Sequence, residues 1–236
     1  MTETKTVGVI GGMGPAATAD FFRRVVALTE ASCDQDHLHV VIDSDPAIPD
    51  RTLALVDDGP SPVPHLVRVA RRLEAMGADL VVMPCNTAHA FADEVARAVS
   101  IPLVGWVAET VAHVAARNPR PVAAGILATT GTIVSGVYQD ALHAAGIAPV
   151  VPSGTEQAAV MAAIYGLKGG DALQPAVAGA ARSLVAGGAE MLLLACTELP
   201  EVELGADVPV VDPADVVARR VVALAGGTPR RTATAA

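Results

Sequence analysis

Aromatic residues are scarce in this 236-residue chain, in which Phe, Trp and Tyr together make up 3% of the sequence. The interior must therefore be built from aliphatic side chains, because hydrophobic residues still account for 52% of the chain. This composition is typical of α/β proteins, whose parallel strands are buried on both faces. The longest apolar runs are far shorter than a membrane span. We therefore expect no membrane partner.

Cysteines and basic residues are also few. The three cysteines, Cys33, Cys85 and Cys196, are odd in number and widely spaced, which argues against a disulfide framework. No signal-peptide pattern is visible, so we expect a cytoplasmic location, where free thiols persist. The formal net charge of −9 argues against nucleic acid as a partner. A site for an acidic metabolite would have to draw on local cations.

Apolar strand-like runs alternate with helix-like segments along most of the chain, which predicts a parallel α/β architecture. The predicted strands span residues 7–10, 39–42, 80–83, 103–104, 122–127, 148–150, 191–194 and 210–211. The predicted helices begin near Pro15, Pro64, Thr87, Val107, Gly131, Thr155, Asp171 and Pro213.

Three features recur in the same order in the two halves of the sequence. The turn at Gly14 recurs at Gly131, the cysteine after a strand recurs at 85 and 196, and the strand at 101–104 recurs at 208–211. Chance similarity between α/β units is the alternative to duplication. The repeat predicts two similar Rossmann-like parallel-sheet domains, 1–105 and 106–212, with the active site in the cleft between them. A helix over 213–226 is expected to pack on the first domain, and residues 227–236 are expected to form a disordered tail.

The duplicated cysteines are the residues with the clearest chemical potential. Cys85 and Cys196 each follow a predicted strand and precede a predicted helix, where ligands bind in open parallel sheets. Backbone N–H groups and a helix dipole there favour a thiolate. A single such cysteine is more often a structural thiol, but two at equivalent positions favour a function. A thiolate and a thiol on opposite faces of a carbon can remove one proton and return another, which is racemisation.

Several residues are candidates to bind a substrate carboxylate. The turns at 11–15 and 129–132 can present backbone N–H groups at helix starts. The guanidinium of Arg51 can bind a carboxylate through two parallel hydrogen bonds, and Lys168 is a second cationic candidate. Asn86 and Thr87 can cap a helix or donate to a ligand. For Arg51 and Lys168 the alternative is a solvated surface charge.

The motifs give less support to two other functions, metal binding and dinucleotide binding. Cys85 and His89 have a spacing compatible with metal ligation, but no second Cys/His cluster completes a site, so we predict no metal. The run from Gly12 to Ala17 loosely fits a dinucleotide fingerprint that Asp43 would complete. Pro15 in that turn, and the lack of equivalent glycines in the second half, argue against such a cofactor.

The motifs taken together resemble the aspartate/glutamate racemase family, and most closely its aspartate racemase branch. The similarity extends over residues 7–212. It is carried by Gly-Gly-Met-Gly-Pro-Ala-Ala-Thr-Ala-Asp-Phe-Phe from Gly11, Asp-Gln-Asp-His from Asp34, Ile-Pro-Asp-Arg-Thr at Arg51, Met-Pro-Cys-Asn-Thr-Ala-His at Cys85, Leu-Ala-Thr-Thr-Gly-Thr ending at Thr132, and Cys-Thr-Glu from Cys196.

The resemblance implies two similar α/β domains and a racemase that needs no pyridoxal phosphate or other cofactor. It places the catalytic pair on Cys85 and Cys196 and the substrate contacts on Met13, Arg51, Asn86, Thr87, Thr130, Lys168 and Thr197. It also implies a small amino-acid substrate, aspartate before glutamate, and a homodimer.

Two positions depart from the family pattern. Asp45 stands where Asn is common, so it can disfavour a dicarboxylate or pair with Arg51. Ala195 replaces the usual Gly and narrows the space beside Cys196. Two alternatives to a racemase stay open: isomerisation or decarboxylation of a small dicarboxylic acid, and a catalytically silent amino-acid-binding protein. The intact cysteine pair argues against the silent protein.

Overall fold

The first half of the chain forms a three-stranded parallel sheet. The computed structural model describes residues 4–169 and 174–231. The strand order is β2-β1-β3, with helices on both faces of the sheet. The elements are β1 (Val7–Gly11), α1 (Pro15–Leu28), a 3₁₀ turn (Asp34–Asp36), β2 (Val40–Ser44), α2 (Arg51–Val56), α3 (Val63–Ala75), β3 (Leu80–Val82), a 3₁₀ turn (Thr87–Phe91) and α4 (Ala92–Ala96).

The second half forms a four-stranded parallel sheet in the order β5-β4-β6-β7. Its elements are α5 (Trp106–Ala115), β4 (Ala123–Ala128), α6 (Thr130–Ser135), α7 (Val137–Ala144), β5 (Ala148–Val150), α8 (Gly154–Gly169), α9 (Gln174–Ala186), β6 (Leu192–Ala195), a 3₁₀ turn (Leu199–Glu201), β7 (Val210–Val211) and α10 (Pro213–Leu224). The two sheets have equivalent strand orders. β1 lies between β2 and β3, and β4 lies between β5 and β6. Cys85 and Cys196 come after β3 and β6. The predicted α/β class with two parallel sheets is confirmed.

Successive side chains of a strand point to opposite faces of its sheet, so each strand packs against helices on both faces. In β1, Val9 packs into the cluster that contains α1 and α10, while Ile10 packs with α3. In β6, Leu192 and Leu194 pack with α8 and α9, while Leu193 lies in the cluster with α5 and α7. Because both faces are covered, β1, β3, β4 and β6 carry no polar side chain, whereas the edge strand β2 ends in Asp43 and Ser44.

Helix α10 returns to the first half. It lies against α1, and Val217, Val221 and Val222 are buried in the same cluster as Val7 and Val9. Arg24 of α1 forms a 2.6 Å ion pair with Asp212, the residue that caps α10. The last helix therefore closes the open face of the first sheet.

The chain after α10 continues along the end of α1. Pro229 forms an antiparallel bridge with Thr29, and the Arg230 amide donates to the Leu28 carbonyl. These contacts place residues 227–231 of the expected disordered tail against the first half. The rest of that tail, 232–236, lies outside the described residues.

Some predicted elements differ from the structure for local reasons. Helix α2 was not predicted, and it begins where the Asp50 side chain accepts hydrogen bonds from the Thr52 and Leu53 amides. The predicted strand at 103–104 is only a single bridge between Leu103 and Val81. Pro102 has no N–H to extend the ladder. The helix start predicted near Asp171 lies outside the described residues. In the part of the chain that the structure describes, no helix is long and apolar enough to cross a membrane.

Candidate active site

Cys85 lies just beyond the carboxyl end of β3. Its amide donates to the Met83 carbonyl at 2.8 Å, which turns the chain sharply after the strand. The residue is 6% exposed and carries a free thiol. The element that follows is a five-residue 3₁₀ turn beginning at Thr87, rather than the α-helix predicted there.

Cys196 occupies the equivalent position after β6 in the second sheet. It is 5% exposed and its thiol donates to Glu198 Oε2 at 3.0 Å. Burial and then the negative charge of Glu198 raise the pKa of the Cys196 thiol well above its ordinary value. At neutral pH this cysteine therefore rests as a thiol that is hydrogen-bonded to a carboxylate.

Both cysteines line one cavity of about 350 Å³ between the two halves. The sequence-predicted residues that line it with them are Met13, Arg51, Asn86, Thr87, Lys168 and Thr197. Thr130 does not line it: its hydroxyl accepts from Gln157 and its amide donates to the Met161 sulfur. The structure thus brings together the predicted site residues with the exception of Thr130.

Arg51 opens helix α2 at the edge of this cavity. One terminal nitrogen of its guanidinium donates to the carbonyls of Ile48 and Pro49 at 3.2 and 3.1 Å. Its Nε is buried and has no partner within the described part of the chain. The backbone therefore holds one end of the guanidinium and leaves donors for a ligand.

Asp45, the first departure from the family pattern, does not pair with Arg51. Its carboxylate lies 2.9 Å from Arg68 and accepts from the Ala47 amide. These bonds lower the pKa of Asp45 and keep it charged. Asp45 is not among the residues that line the cavity, so it adds no carboxylate to its wall.

Lys168, near the end of α8, supplies a second cation. Its Nζ lies 3.8 Å from Glu198 Oε1. Burial alone would lower the pKa of Lys168, but the negative charges around it, that of Glu198 first, raise it above its ordinary value. Lys168 therefore stays charged beside a carboxylate that also contacts Cys196.

A model of the Asp/Glu/Hydantoin racemase family matches residues 10–221 of this chain. The chain belongs to that family. It is 30% identical to the broad specificity amino-acid racemase RacX of Bacillus subtilis, over 92% of this chain and 96% of the relative. Membership makes it an amino-acid racemase, a type of isomerase.

Solved structures share the fold of this chain. The aspartate racemase of Picrophilus torridus superposes with a TM-score of 0.85 and 31% identity over 96% of each chain. Glutamate racemase from Francisella tularensis shares the fold, with a TM-score of 0.69 and 18% identity over 94% of this chain and 81% of its own. The racemase fold with two parallel sheets is thus common to all three proteins.

Several residues that line the cavity were not predicted as site residues from the sequence. Glu198 stands in the Cys-Thr-Glu motif, whose carboxylate could have been read as a partner for the thiol. Asp50 caps α2 with one oxygen and accepts from the Tyr165 hydroxyl with the other at 3.3 Å. Tyr165 and Met161 gave no signal, although Tyr165 lies three residues before Lys168 and therefore on the same helix face.

The metal and dinucleotide alternatives find no support in the local geometry. His89 Nδ1 donates to the Cys85 carbonyl at 2.8 Å, and burial lowers the pKa of His89 to about 4, so its ring is neutral. Among the described residues no cluster of three or more metal-binding side chains occurs. A Cβ at Gly12 would collide with the Asp45 backbone and one at Gly11 with the Thr18 side chain. Close packing of the chain accounts for these two glycines.

A wider groove of about 1520 Å³ adjoins the cavity and leads to the surface. The residues shared by both spaces are Met13, Asp50, Arg51, Lys168, Thr197 and Glu198. The charged side chains therefore stand at the junction between solvent and the two thiols. A small zwitterion entering the site would pass them first.

Proposed function

We propose that this racemase interconverts L- and D-aspartate, with glutamate as a second substrate, by a two-base mechanism that needs no cofactor. One observation carries the proposal: two buried free thiols follow equivalent strands of the two sheets and line the same cavity. A thiol on each side of a substrate is what inversion at a carbon requires, because the proton leaves one face and returns at the other.

In the proposed reaction the Cys85 thiolate removes the Cα proton from one face and the Cys196 thiol donates its proton to the opposite face. The bond to hydrogen breaks on one side and forms on the other, and no oxidant is consumed. After one turnover Cys85 is protonated and Cys196 is the thiolate. The reverse reaction begins from that state.

Glu198 and Lys168 have a supporting part in this scheme. The thiol of Cys196 is hydrogen-bonded to Glu198, which favours the protonated form needed for its role as an acid. When Cys196 becomes a thiolate, the nearby Lys168 ammonium stabilises the negative charge. The pair therefore lets one cysteine work in both protonation states.

The charge of Arg51 supports a substrate that carries a carboxylate. Lys168 and Asp50 also line the cavity, but Lys168 is paired with Glu198, so it is Arg51 that favours an acidic substrate. A guanidinium binds a carboxylate best through two parallel hydrogen bonds, and Arg51 keeps donors for this purpose. The likeness to an aspartate racemase favours aspartate as the first substrate to test, while the relative of broad specificity calls for a wider panel.

The test is Cα hydrogen–deuterium exchange in heavy water with a panel of amino acids in both enantiomeric forms. We expect deuterium at Cα of both enantiomers of aspartate, with slower exchange for glutamate and the least for neutral amino acids. Faster exchange of a neutral amino acid would contradict the substrate class. Lack of exchange in the whole panel would overturn the racemase mechanism and favour isomerisation or decarboxylation of a dicarboxylic acid.

A further inference from the structure

The side-chain amide of Asn86 lies between the cavity and two buried aromatic side chains, Trp106 and Tyr138. Asn86 follows Cys85 in sequence, lines the cavity and is 3% exposed. Its Oδ1 accepts two hydrogen bonds, one from Trp106 Nε1 at 2.9 Å and one from the Tyr138 hydroxyl at 2.6 Å. Its Nδ2 is buried and has no partner within residues 4–169 and 174–231.

The chemistry of these donors fixes which end of the amide faces them. An indole N–H can only donate a hydrogen bond, so the amide atom that meets Trp106 must be the oxygen. Neither Trp106 nor Tyr138 lines the cavity, whereas Asn86 does. The NH₂ group is therefore the end of the amide left for the cavity, with both of its protons available.

Both donors are rigidly held. Trp106 and Tyr138 are completely buried. The Trp106 ring packs against Phe21 and His89, with ring centroids 5.5 and 6.1 Å away. Burial raises the pKa of Tyr138, so its hydroxyl keeps the proton that it donates. An NH₂ group in such a fixed setting needs a hydrogen-bond acceptor from the cavity, because leaving it unsatisfied would cost folding free energy.

We propose that Tyr138 and Trp106 are positioning residues that hold the Asn86 amide with its NH₂ group directed at a carboxylate of the substrate. The inference rests on the proposed function, because that carboxylate belongs to the amino acid whose Cα lies between the two thiols. Tyr138 lies on α7 in the second half, whereas Asn86 belongs to the first. The donor group is therefore oriented correctly only when the two halves are docked.

A double-mutant cycle between Tyr138 and Asn86 tests this assignment. Tyr138→Phe removes one of the two donors that hold the amide oxygen, so the NH₂ group is directed less firmly at the ligand. We expect the KM for L-aspartate to rise about 3- to 10-fold, as for the loss of one orienting hydrogen bond, with a smaller change in kcat. In an Asn86→Ala background the same substitution should change KM by less than about twofold, because no amide remains to be oriented.

Two further variants separate positioning from general destabilisation. Thr29→Val removes a buried hydroxyl that donates to the Val25 carbonyl, far from the cleft, and should leave KM unchanged. Trp106→Phe removes the second donor and should raise KM in the same way as Tyr138→Phe. Equal KM effects of Tyr138→Phe with and without Asn86 would overturn the proposal, and so would an unchanged KM in both donor variants.

Succinate binding, measured by calorimetry, keeps the positioning role distinct from the reaction. Succinate has two carboxylates but no amino group to define an enantiomer. If the wild type binds succinate and the cycle shows the same coupling, the positioning role holds even where racemisation of aspartate fails. A wild type that binds neither aspartate nor succinate would overturn the positioning role as well, because the cavity would then accept no carboxylate.

Discussion

At the scale of single residues, Arg51 and Arg68 form a natural comparison. Arg51 stands at the cavity with half of its guanidinium held by backbone carbonyls, whereas Arg68 lies outside the cavity and pairs with Asp45. Arg51→Ala should weaken binding of a dicarboxylate by about 2–5 kcal/mol, since it removes a partly buried guanidinium whose Nε is shielded from solvent. Steady-state kinetics with aspartate give the measurement, and an unchanged KM would show that Arg51 does not hold the substrate.

Arg68→Ala and Asp45→Asn serve as the controls for this prediction. Arg68 and Asp45 form an exposed ion pair outside the cavity, and such pairs contribute little to stability. Both variants should retain the kinetics of the wild type toward aspartate. Faster aspartate turnover in Asp45→Asn would show that this carboxylate restricts acidic substrates after all.

Glu198 should set the pH dependence of the reaction in the direction that uses Cys196 as the base. A base must be deprotonated, so the rate in that direction rises as the pH passes the pKa of Cys196. Glu198 is one of the causes that raise this pKa. Glu198→Gln removes its charge, lowers the pKa of Cys196 and moves the rising part of the profile to lower pH.

The measurement is the pH profile of kcat/KM for each enantiomer. Glu203→Gln is a matched control, because it removes the same charge from an exposed position close in sequence. Its profile should coincide with that of the wild type. An unmoved or upward-shifted profile in Glu198→Gln would contradict the assigned role of the carboxylate.

At the scale of elements, the contact between α2 and α6 joins the two halves beside the cavity. Gly131 of α6 approaches the chain so closely that a Cβ there would lie 2.8 Å from the Cα of Thr52. Gly131→Ala should push α2 away and displace Arg51, the first residue of that helix. We expect stability to fall by about 1–3 kcal/mol, as for overpacking.

Activity in Gly131→Ala should fall by as much as about 10²-fold, because small misplacements of a substrate-binding group are costly. Gly179 in α9 provides the control: a Cβ at this position meets nothing within 4 Å. Gly179→Ala should raise stability by about 0.5–1 kcal/mol and leave the activity unchanged. Thermal unfolding and racemisation rates check both variants. Wild-type activity in Gly131→Ala would show that the α2–α6 contact does not position Arg51.

The elements also show what a sequence can and cannot predict. The apolar runs of β1, β4 and β6 predict buried strands because both sheet faces are covered. Helix α2 is short, and its start depends on the Asp50 cap rather than on a hydrophobic period. The turn after Cys85 resembled a helix start, but it winds as a 3₁₀ turn before α4 begins.

Site residues that stand in sequence motifs could be predicted. Those that reach the site through contacts between distant parts of the chain could not. Cys85 and Cys196 were predicted from their equivalent positions after strands, and Arg51 and Lys168 from their charge. Tyr165 reaches Asp50 only across the cleft, through a hydrogen bond between residues far apart in sequence. No local pattern could indicate such a contact. Thr130 faces α8 instead of the cavity for the same kind of reason.

At the scale of the whole molecule, the two halves have similar strand orders, and each places a cysteine at the same cavity. Cys85 follows β3 in the first sheet and Cys196 follows β6 in the second, and the halves face each other across the cavity. The surroundings of the two thiols are nevertheless different. Cys196 has a carboxylate within hydrogen-bond distance, while the Cys85 carbonyl is held by His89. Two similar sheets thus carry two cysteines in different surroundings.

In the proposed mechanism every turnover uses both thiols. The most direct test of this mechanism is Cα deuterium incorporation from L- and D-aspartate, measured separately in Cys85→Ser and Cys196→Ser. A serine hydroxyl is similar in size but too weak an acid to form the required anion near neutral pH. Each variant should lose racemisation in both directions by about 10²–10⁴-fold, while it still exchanges the one enantiomer that faces its remaining cysteine. The two variants should therefore prefer opposite enantiomers. Near-wild-type racemisation in either variant would contradict the two-base mechanism.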